Sequence, residues 1–331
     1  MQARDAEIIA TTTNTIRDIG NLPGNMLTPA ILAEKAQELA QDRAALSVKI
    51  WNERHLKRDG FGGILAVGQG SIHPPRLIVL EYHGGGKRET PIALVGKAVT
   101  FDTGGISIKP GAQMDEMKWD KMGGLAVLGI LLAAADLKLP LNLIGLIPSA
   151  ENMPGPDAYR PGDIITTRDG KTIEVLNTDA EGRIILADAI AHARLTYKPS
   201  SIIEYSTLTG AVVMALGHHR AGMFTSELKL RDAFVAAGKA TGELVWSMPV
   251  DEEYKEGVQS EIATVKNIGP REGSACISAS FVKTWAEETP FVHFDIAGTA
   301  WWGKPPAHLE AGATGFGLRL TLQALRAGLP V

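Results

Sequence analysis

Four carboxylates, three lysines and an arginine fall in three short segments of this chain, each at the edge of an apolar run. The first segment runs Lys97-Ala98-Val99-Thr100-Phe101-Asp102-Thr103-Gly104-Gly105 and reaches Lys109. The second is Asp120-Lys121-Met122-Gly123-Gly124, directly before an apolar stretch. The third is Asn177-Thr178-Asp179-Ala180-Glu181-Gly182-Arg183, again followed by apolar residues. Each has an ordinary structural explanation. Lys97 and Asp102 suit a surface ion pair, worth little. Asp120 suits the favourable end of a helix dipole. Asp179 and Glu181 suit a helix start with an internal salt bridge to Arg183. Read together, the segments say more. Carboxylates gathered in one site would raise each other's pKa and cost stability. Divalent cations remove that cost. Bridging carboxylates hold two ions about 3.5–4 Å apart, and such a pair activates one water for hydrolysis. The oxygen-rich donor set suits zinc, manganese or magnesium and does not choose between them.

Strands and helices must bring these segments together. Helices are predicted over residues 3–18 and 28–45, with Thr28 as cap and Pro29 in the first turn of the second. From residue 76 apolar runs alternate with amphipathic segments: RLIVLEY, PIALVGKAVTF, a helix near 122–137, LNLIGLIPSA, a helix after residue 180, SIIEYSTL and FVHFDIAG. That alternation predicts an α/β fold, a three-layer α/β/α sandwich around a mixed, mostly parallel sheet. DIITTRDGKTIEVLN reads as a hairpin turning at Asp169-Gly170. In open sheets of this kind ligands bind at the carboxyl ends of strands, where Lys97 and Asp102 would lie. No linker interrupts residues 76–325, and residues 1–75 hold too few helices for a core of their own. One domain over residues 1–331 is the expected organisation, with 1–75 as a helical portion packed on it.

Composition narrows the function classes. The formal net charge of -4 gives no general attraction for nucleic acid or anionic membranes. Cys276 is the one cysteine, so no intrachain disulfide forms and a reducing compartment fits. The N-terminus lacks the basic-then-apolar pattern of a secretory signal, and the apolar run from Leu125 to Ala135 falls short of the roughly 20 residues of a membrane span. A cytoplasmic protein is expected.

The three segments, with Thr207-Leu208-Thr209-Gly210-Ala211, HFDIAGTAWW and ATGFGLRL, resemble the leucyl aminopeptidase family, the cytosolic aminopeptidases, in order and spacing over nearly the whole chain. The resemblance implies a metal-dependent exopeptidase with two divalent ions, zinc or manganese, with magnesium or cobalt as further fits. Asp102 and Glu181 would bridge the ions, Asp179 would complete the more exchangeable site, and Lys97 and Asp120 the tighter one. Lys97 would coordinate as the neutral amine, its pKa lowered by the dications. A metal-bridging hydroxide would attack the scissile carbonyl, with Lys109 stabilising the gem-diolate. Arg183, helped by backbone groups of Ala180, Gly182 and Leu208, would hold a bicarbonate that shuttles the proton. Met117, Thr207, Gly210, Ala297 and Ala300 would form an uncharged side-chain pocket favouring leucine or methionine. The resemblance also implies a homohexamer built as a dimer of trimers. It further implies a separate N-terminal domain ahead of the part seen here, and the expectation is a catalytic domain without it, with fewer contacts joining the trimers. Lys121 departs from the methionine often found after the metal aspartate.

Two rival readings stand beside this one: another two-metal hydrolase, such as a phosphoesterase, and a DNA-binding regulatory protein. Histidines 73, 83 and 293 read as structural, His218-His219 as a solvated or interface pair, Cys276 as inert, and Trp301-Trp302 as surface or interface packing. Gly68-Gln69-Gly70 is too short for a phosphate loop.

Overall fold

The computed structural model describes residues 3–87, 89–305 and 310–330. Its strands follow the chain as β1 (Leu46–Trp51), β2 (Arg76–His83), β3 (Ile92–Gly96), β4 (Ala98–Asp102), β5 (Asn142–Asn152), β6 (Ile164–Thr166), β7 (Thr172–Glu174), β8 (Ser201–Ser206), β9 (Ala221–Phe224), β10 (Val245–Met248), β11 (Val265–Lys266) and β12 (Phe291–Asp295). Nine of them build one sheet in the order β1-β2-β5-β3-β8-β12-β9-β10, with β4 also pairing β5. The centre is parallel: β3 lies between β5 and β8, and β12 follows β8. Antiparallel pairs bring in β1 and β2 on one side and join β12 to β9 on the other.

Period-two alternation sorts the strand residues between two cores. Ile78, Leu80, Leu94 and Ile203 face one core, shared with helices Ala3–Asn21, Pro29–Ala40, Met122–Asp136, Leu228–Thr241 and Leu318–Arg326. Leu77, Val79, Val95 and Ile202 face the other, under helices Gly62–Gly68, Gly182–His192 and Ser274–Lys283. The result is the expected three-layer sandwich with a mixed, mostly parallel sheet. Helix Met122–Asp136 is apolar on every side because it lies between the sheet and other helices.

Thr28 caps its helix as expected, its hydroxyl accepting from the Ile31 amide at 3.4 Å, with Pro29 in the first turn. That helix ends at Ala40, shorter than the predicted 28–45, and residues 46–51 are a strand instead. The hairpin of β6 and β7 turns at Asp169-Gly170, where Gly170 has a φ of 86°. β3 and β4 are one strand interrupted at Lys97. There the main chain leaves the ladder on one side: its N–H still bonds Tyr205 O of β8 (3.0 Å), but its carbonyl accepts from Gly124 N (2.7 Å) in the first turn of helix Met122–Asp136. This interruption places Lys97 at the carboxyl end of β3 and Asp102 at that of β4.

Candidate metal centre

The Lys97 side chain is buried and lies between two carboxylates, with Asp120 Oδ2 and Glu181 Oε1 each 2.8 Å from Nζ. Nζ also donates to the Thr207 carbonyl at 3.1 Å. To reach them it crosses Gly182, where an added Cβ would sit 2.6 Å from Lys97 Cε. That close approach explains a glycine after Glu181 in a chain segment that is otherwise entering a helix. Thr207 contributes its hydroxyl too, donating to Asp120 Oδ1 at 2.6 Å.

Asp102 pairs elsewhere, with Lys109 Nζ at 2.8 Å, and Lys109 also contacts Asp179. The surface pair Lys97–Asp102 is therefore not formed. Lys97 turns instead to Asp120 and Glu181, while Asp102 is taken by Lys109. Asp120 does not cap its helix, and Glu181 reaches Lys97 instead of Arg183. The structural explanations of the three segments thus fail individually, and their side chains converge.

Asp102, Asp179 and Glu181 each place one oxygen within 4.8 Å of the others. Among the described residues, the buried atoms Asp120 Oδ2, Asp179 Oδ1 and Glu181 Oε1 make no hydrogen bond, only ionic contacts. Carboxylate oxygens converging at one place, partnered there by lysine ammonium groups, fit divalent cations by both charge and hardness.

The charges respond to this crowding. Burial pushes the Asp120 carboxyl up to about 7 against the pull of Lys97, with Glu181 and Asp102 adding to the rise. Burial and then Asp102 push Asp179 up to about 6. Burial alone would lower Lys97, but Asp120, Glu181 and Asp102 outweigh it and hold the ammonium above its usual range. Lys109 is raised on the same balance. Lys121 behaves oppositely: burial, then Lys118, lowers it to about 7. Its Nζ donates to the Leu22 (2.9 Å) and Lys118 carbonyls, so it braces backbone outside the carboxylate set.

Arg183 lies in the first turn of helix Gly182–His192, buried, with one guanidinium nitrogen on Asn267 O at 2.7 Å. Its Nε has no partner among the described residues. Burial lowers its pKa to about 10, against Glu181 and Asp295, so it stays a cation at neutral pH. The Leu208 amide points to Asp295 Oδ1 at 3.1 Å. Of the pocket candidates, Met117 is half-buried, Thr207 and Ala297 are buried, and Gly210 faces open space. Ala300 sits in the sheet's hydrophobic core.

Four residues passed over in the sequence hold the site. Asn152 pairs with Asp102 in register and donates to Asp102 Oδ1 (2.8 Å) and Thr178 O (3.1 Å). Tyr159 also donates to Thr178 O, at 2.7 Å. Asn267 accepts from the Leu176 amide at 2.8 Å and fixes the chain ahead of Asp179. Asp295 ends β12 and receives the turn after β8. Asn152 and Asp295 carry the same signal as Asp102, a polar side chain at the carboxyl end of an apolar strand. His293 is buried against Glu204, as a structural histidine would be. Trp301 stacks on Trp119 with ring centres 5.8 Å apart.

Fold and site define an α/β/α protein with a carboxylate-lined cation centre at its strand ends. Residues 14–322 match the catalytic domain of the cytosol aminopeptidase family, and the chain belongs to that family. It is 51% identical over 319 residues to a probable cytosol aminopeptidase of Roseiflexus castenholzii, covering 96% of this chain and 65% of the relative. It is 49% identical over 309 residues to one from Syntrophotalea carbinolica, covering 93% and 62%. The chain thus spans less than two thirds of these relatives' length. Among solved structures it is similar to the bottromycin maturation enzyme BotP in complex with Mn, with a TM-score of 0.93 and 35% identity over 98% of this chain and 71% of that one. No described helix is long and apolar enough to cross a membrane.

Proposed function

We propose that this chain is a two-metal aminopeptidase that removes N-terminal, preferably apolar, residues from peptides. The observation carrying this reading is the convergence of Asp102, Asp179 and Glu181 oxygens within 4.8 Å. Asp102 and Glu181 would bridge, Lys97 and Asp120 would complete one site and Asp179 the other. Zinc or manganese fits, with magnesium or cobalt as alternatives. Such ions, when bound, acidify water and polarise a peptide carbonyl. Holding one through Lys97 requires the neutral amine, which neighbouring dications favour.

The remaining work falls to the chain. Lys109 keeps a positive charge at the edge of the carboxylates and opposes negative charge growing on the carbonyl oxygen. Arg183 stays protonated, so it cannot be a base itself. Its Nε, unpartnered among the described residues, suits a bound bicarbonate as proton carrier together with the Gly182 amide, while the Ala180 amide would be shared with the Asn177 carbonyl (3.3 Å) and the Leu208 amide with Asp295. Met117, Thr207, Gly210 and Ala297 would line an uncharged pocket that accepts leucine or methionine side chains and offers no cation to an acidic one, with Ala300 packed behind it in the core. A single unit over the whole chain, a cytoplasmic location and a hexamer of two trimers belong to the same reading.

The test is an assay of leucyl and methionyl anilides against a phosphate ester, with elemental analysis for zinc, manganese and cobalt on active protein. Anilide cleavage with about two metals per chain is expected. Ester hydrolysis alone would favour the phosphoesterase reading, and a salt-dependent DNA shift without cleavage would favour the nucleic-acid one.

A further inference from the structure

We propose that Asp295 is a positioning residue that locks the metal-ligand set and the side-chain pocket to one another through the turn Thr207-Leu208-Thr209. The inference rests on the two-metal reading above. Asp295 ends β12 beside Ser206, the last residue of β8, and is fully buried. Its Oδ1 accepts from the amides of Leu208 (3.1 Å), Ala297 (3.2 Å) and Thr209 (3.4 Å). Its Oδ2 accepts from the Thr209 hydroxyl at 2.6 Å. No lysine, arginine or histidine forms an ion pair with it among the described residues. Its charge is directed instead at backbone donors of two separate loops, and charge-assisted bonds of this kind are the stronger ones.

Each loop leads to a different part of the site. Thr207, the residue before the gripped amides, turns both of its oxygens toward the metal side. Its carbonyl holds Lys97 Nζ at 3.1 Å and its hydroxyl holds Asp120 Oδ1 at 2.6 Å. These are the two ligands assigned to one ion and to no other. On the far side, Thr209 caps helix Gly210–Leu216 by accepting from Val212 N at 3.1 Å, which places Gly210 at the pocket. Ala297, gripped by the same Oδ1, is the facing wall. A shift of the turn therefore moves Lys97 and Asp120 together with Gly210, while Asp102 and the Thr178 backbone that leads into Asp179 are held by a separate framework around Asn152. Groups that orient ligands without touching the ion commonly change affinity by about 10- to 100-fold.

The test uses the full chain carrying Asp295→Asn, with Thr209→Val and Thr209→Ser as a second pair. Manganese and zinc are titrated calorimetrically, and kcat and KM are measured for leucyl, methionyl and glycyl anilides. In Asp295→Asn one of the two metal steps weakens about tenfold or more while the other holds within about twofold, and the leucyl-over-glycyl preference in kcat/KM falls in parallel. Thr209→Val loses less in the same direction, and Thr209→Ser, which keeps the hydroxyl, recovers it. Should Asp295→Asn fail to fold, the threonine pair decides. Wild-type metal affinity and preference in the decisive variant would overturn the proposal. So would loss of one property without the other, or equal weakening of both metal steps. A wild-type protein that binds no pair of metals would defeat the two-metal reading itself, while the preference measurement would still report on the link between Asp295 and the pocket.

Discussion

Two clusters of charge in this molecule use similar residues and reach opposite ends. Beside the β6–β7 hairpin, Asp169 and Glu287 face Lys171 and Arg194 in a closed square, with contacts of 2.6, 2.6, 2.8 and 2.9 Å. Every charge there has two partners of opposite sign. Burial works against the Asp169 carboxylate, yet Lys171 and Thr167 outweigh it and hold the pKa below its usual value. In the metal-site cluster, four carboxylates form ion pairs with Lys97 and Lys109 alone among the described residues, and Asp120 and Asp179 are pushed up to about 7 and about 6. The difference is charge balance. A cluster that closes on itself is complete, whereas one with four carboxylates to two lysines suits the cations of the proposed reading.

The comparison breaks most sharply on removal of an excess carboxylate. Glu181→Ala or Asp102→Ala should reduce peptidase activity to background and lower metal content by elemental analysis. Near-normal turnover in either variant would remove the case for a shared metal pair. Lys109→Ala tests the other side of the balance. It should cost about 10²–10³-fold in kcat, the scale of losing one fixed group that opposes developing charge, with metal content nearly kept. Equal loss of metal and turnover would make Lys109 a structural counter-ion.

Acid should act on the two clusters in opposite senses. Asp120 and Asp179 bind protons more tightly in the fold than the value of 3.8 for a free carboxyl. In chelated protein their contribution is then full below about pH 4 and is lost as pH rises through about 6 and 7. Asp169 has the reverse sign, present above its unfolded pKa and lost as pH falls through its lower folded value. Dications require the ionised carboxylates, so apparent metal affinity should rise most steeply as pH climbs through about 6 to 7, and the ion that takes the Lys97 amine should go on tightening above that range because the ammonium must lose its proton. Calorimetric titrations across that range check the sign. Affinity independent of pH would mean that the ions displace no protons at these groups.

The centre was legible in the sequence because its residues interrupt apolar runs, Asp102 at a strand end and Asp120, Asp179 and Glu181 just ahead of apolar helices. Their pairing was not. Lys97 and Asp102 are close in sequence but take different partners, and only the crossing of separate chain segments shows that Lys97 meets Asp120 and Glu181. The sandwich itself followed from the apolar strands, which are buried on both faces. Strand β1 did not, because Leu46-Ser47-Val48-Lys49-Ile50-Trp51 is a half-exposed edge with charged and polar positions. Asn152 and Asp295 carried the strand-end signal without a motif to draw attention to them. Asn267 carried none, since its role comes from a loop folding back on Asn177.

The smallest effect should come from the complete cluster, and it makes the comparison two-sided. Arg194→Ala removes contacts with Asp169 and Glu287 and a hydrogen bond to the Trp285 carbonyl at 3.0 Å. Glu287 is substantially exposed, so solvent offsets much of the lost attraction. Asp169 keeps Lys171, so no buried carboxylate is stranded. The expected cost is about 1–2 kcal/mol in denaturant unfolding. Metal content and kcat should stay at wild-type levels, because nothing in the square touches the carboxylate set. A drop in metal affinity out of proportion to this small destabilisation would show that the hairpin helps position Asp179. Charge balance would then no longer separate the structural cluster from the functional one.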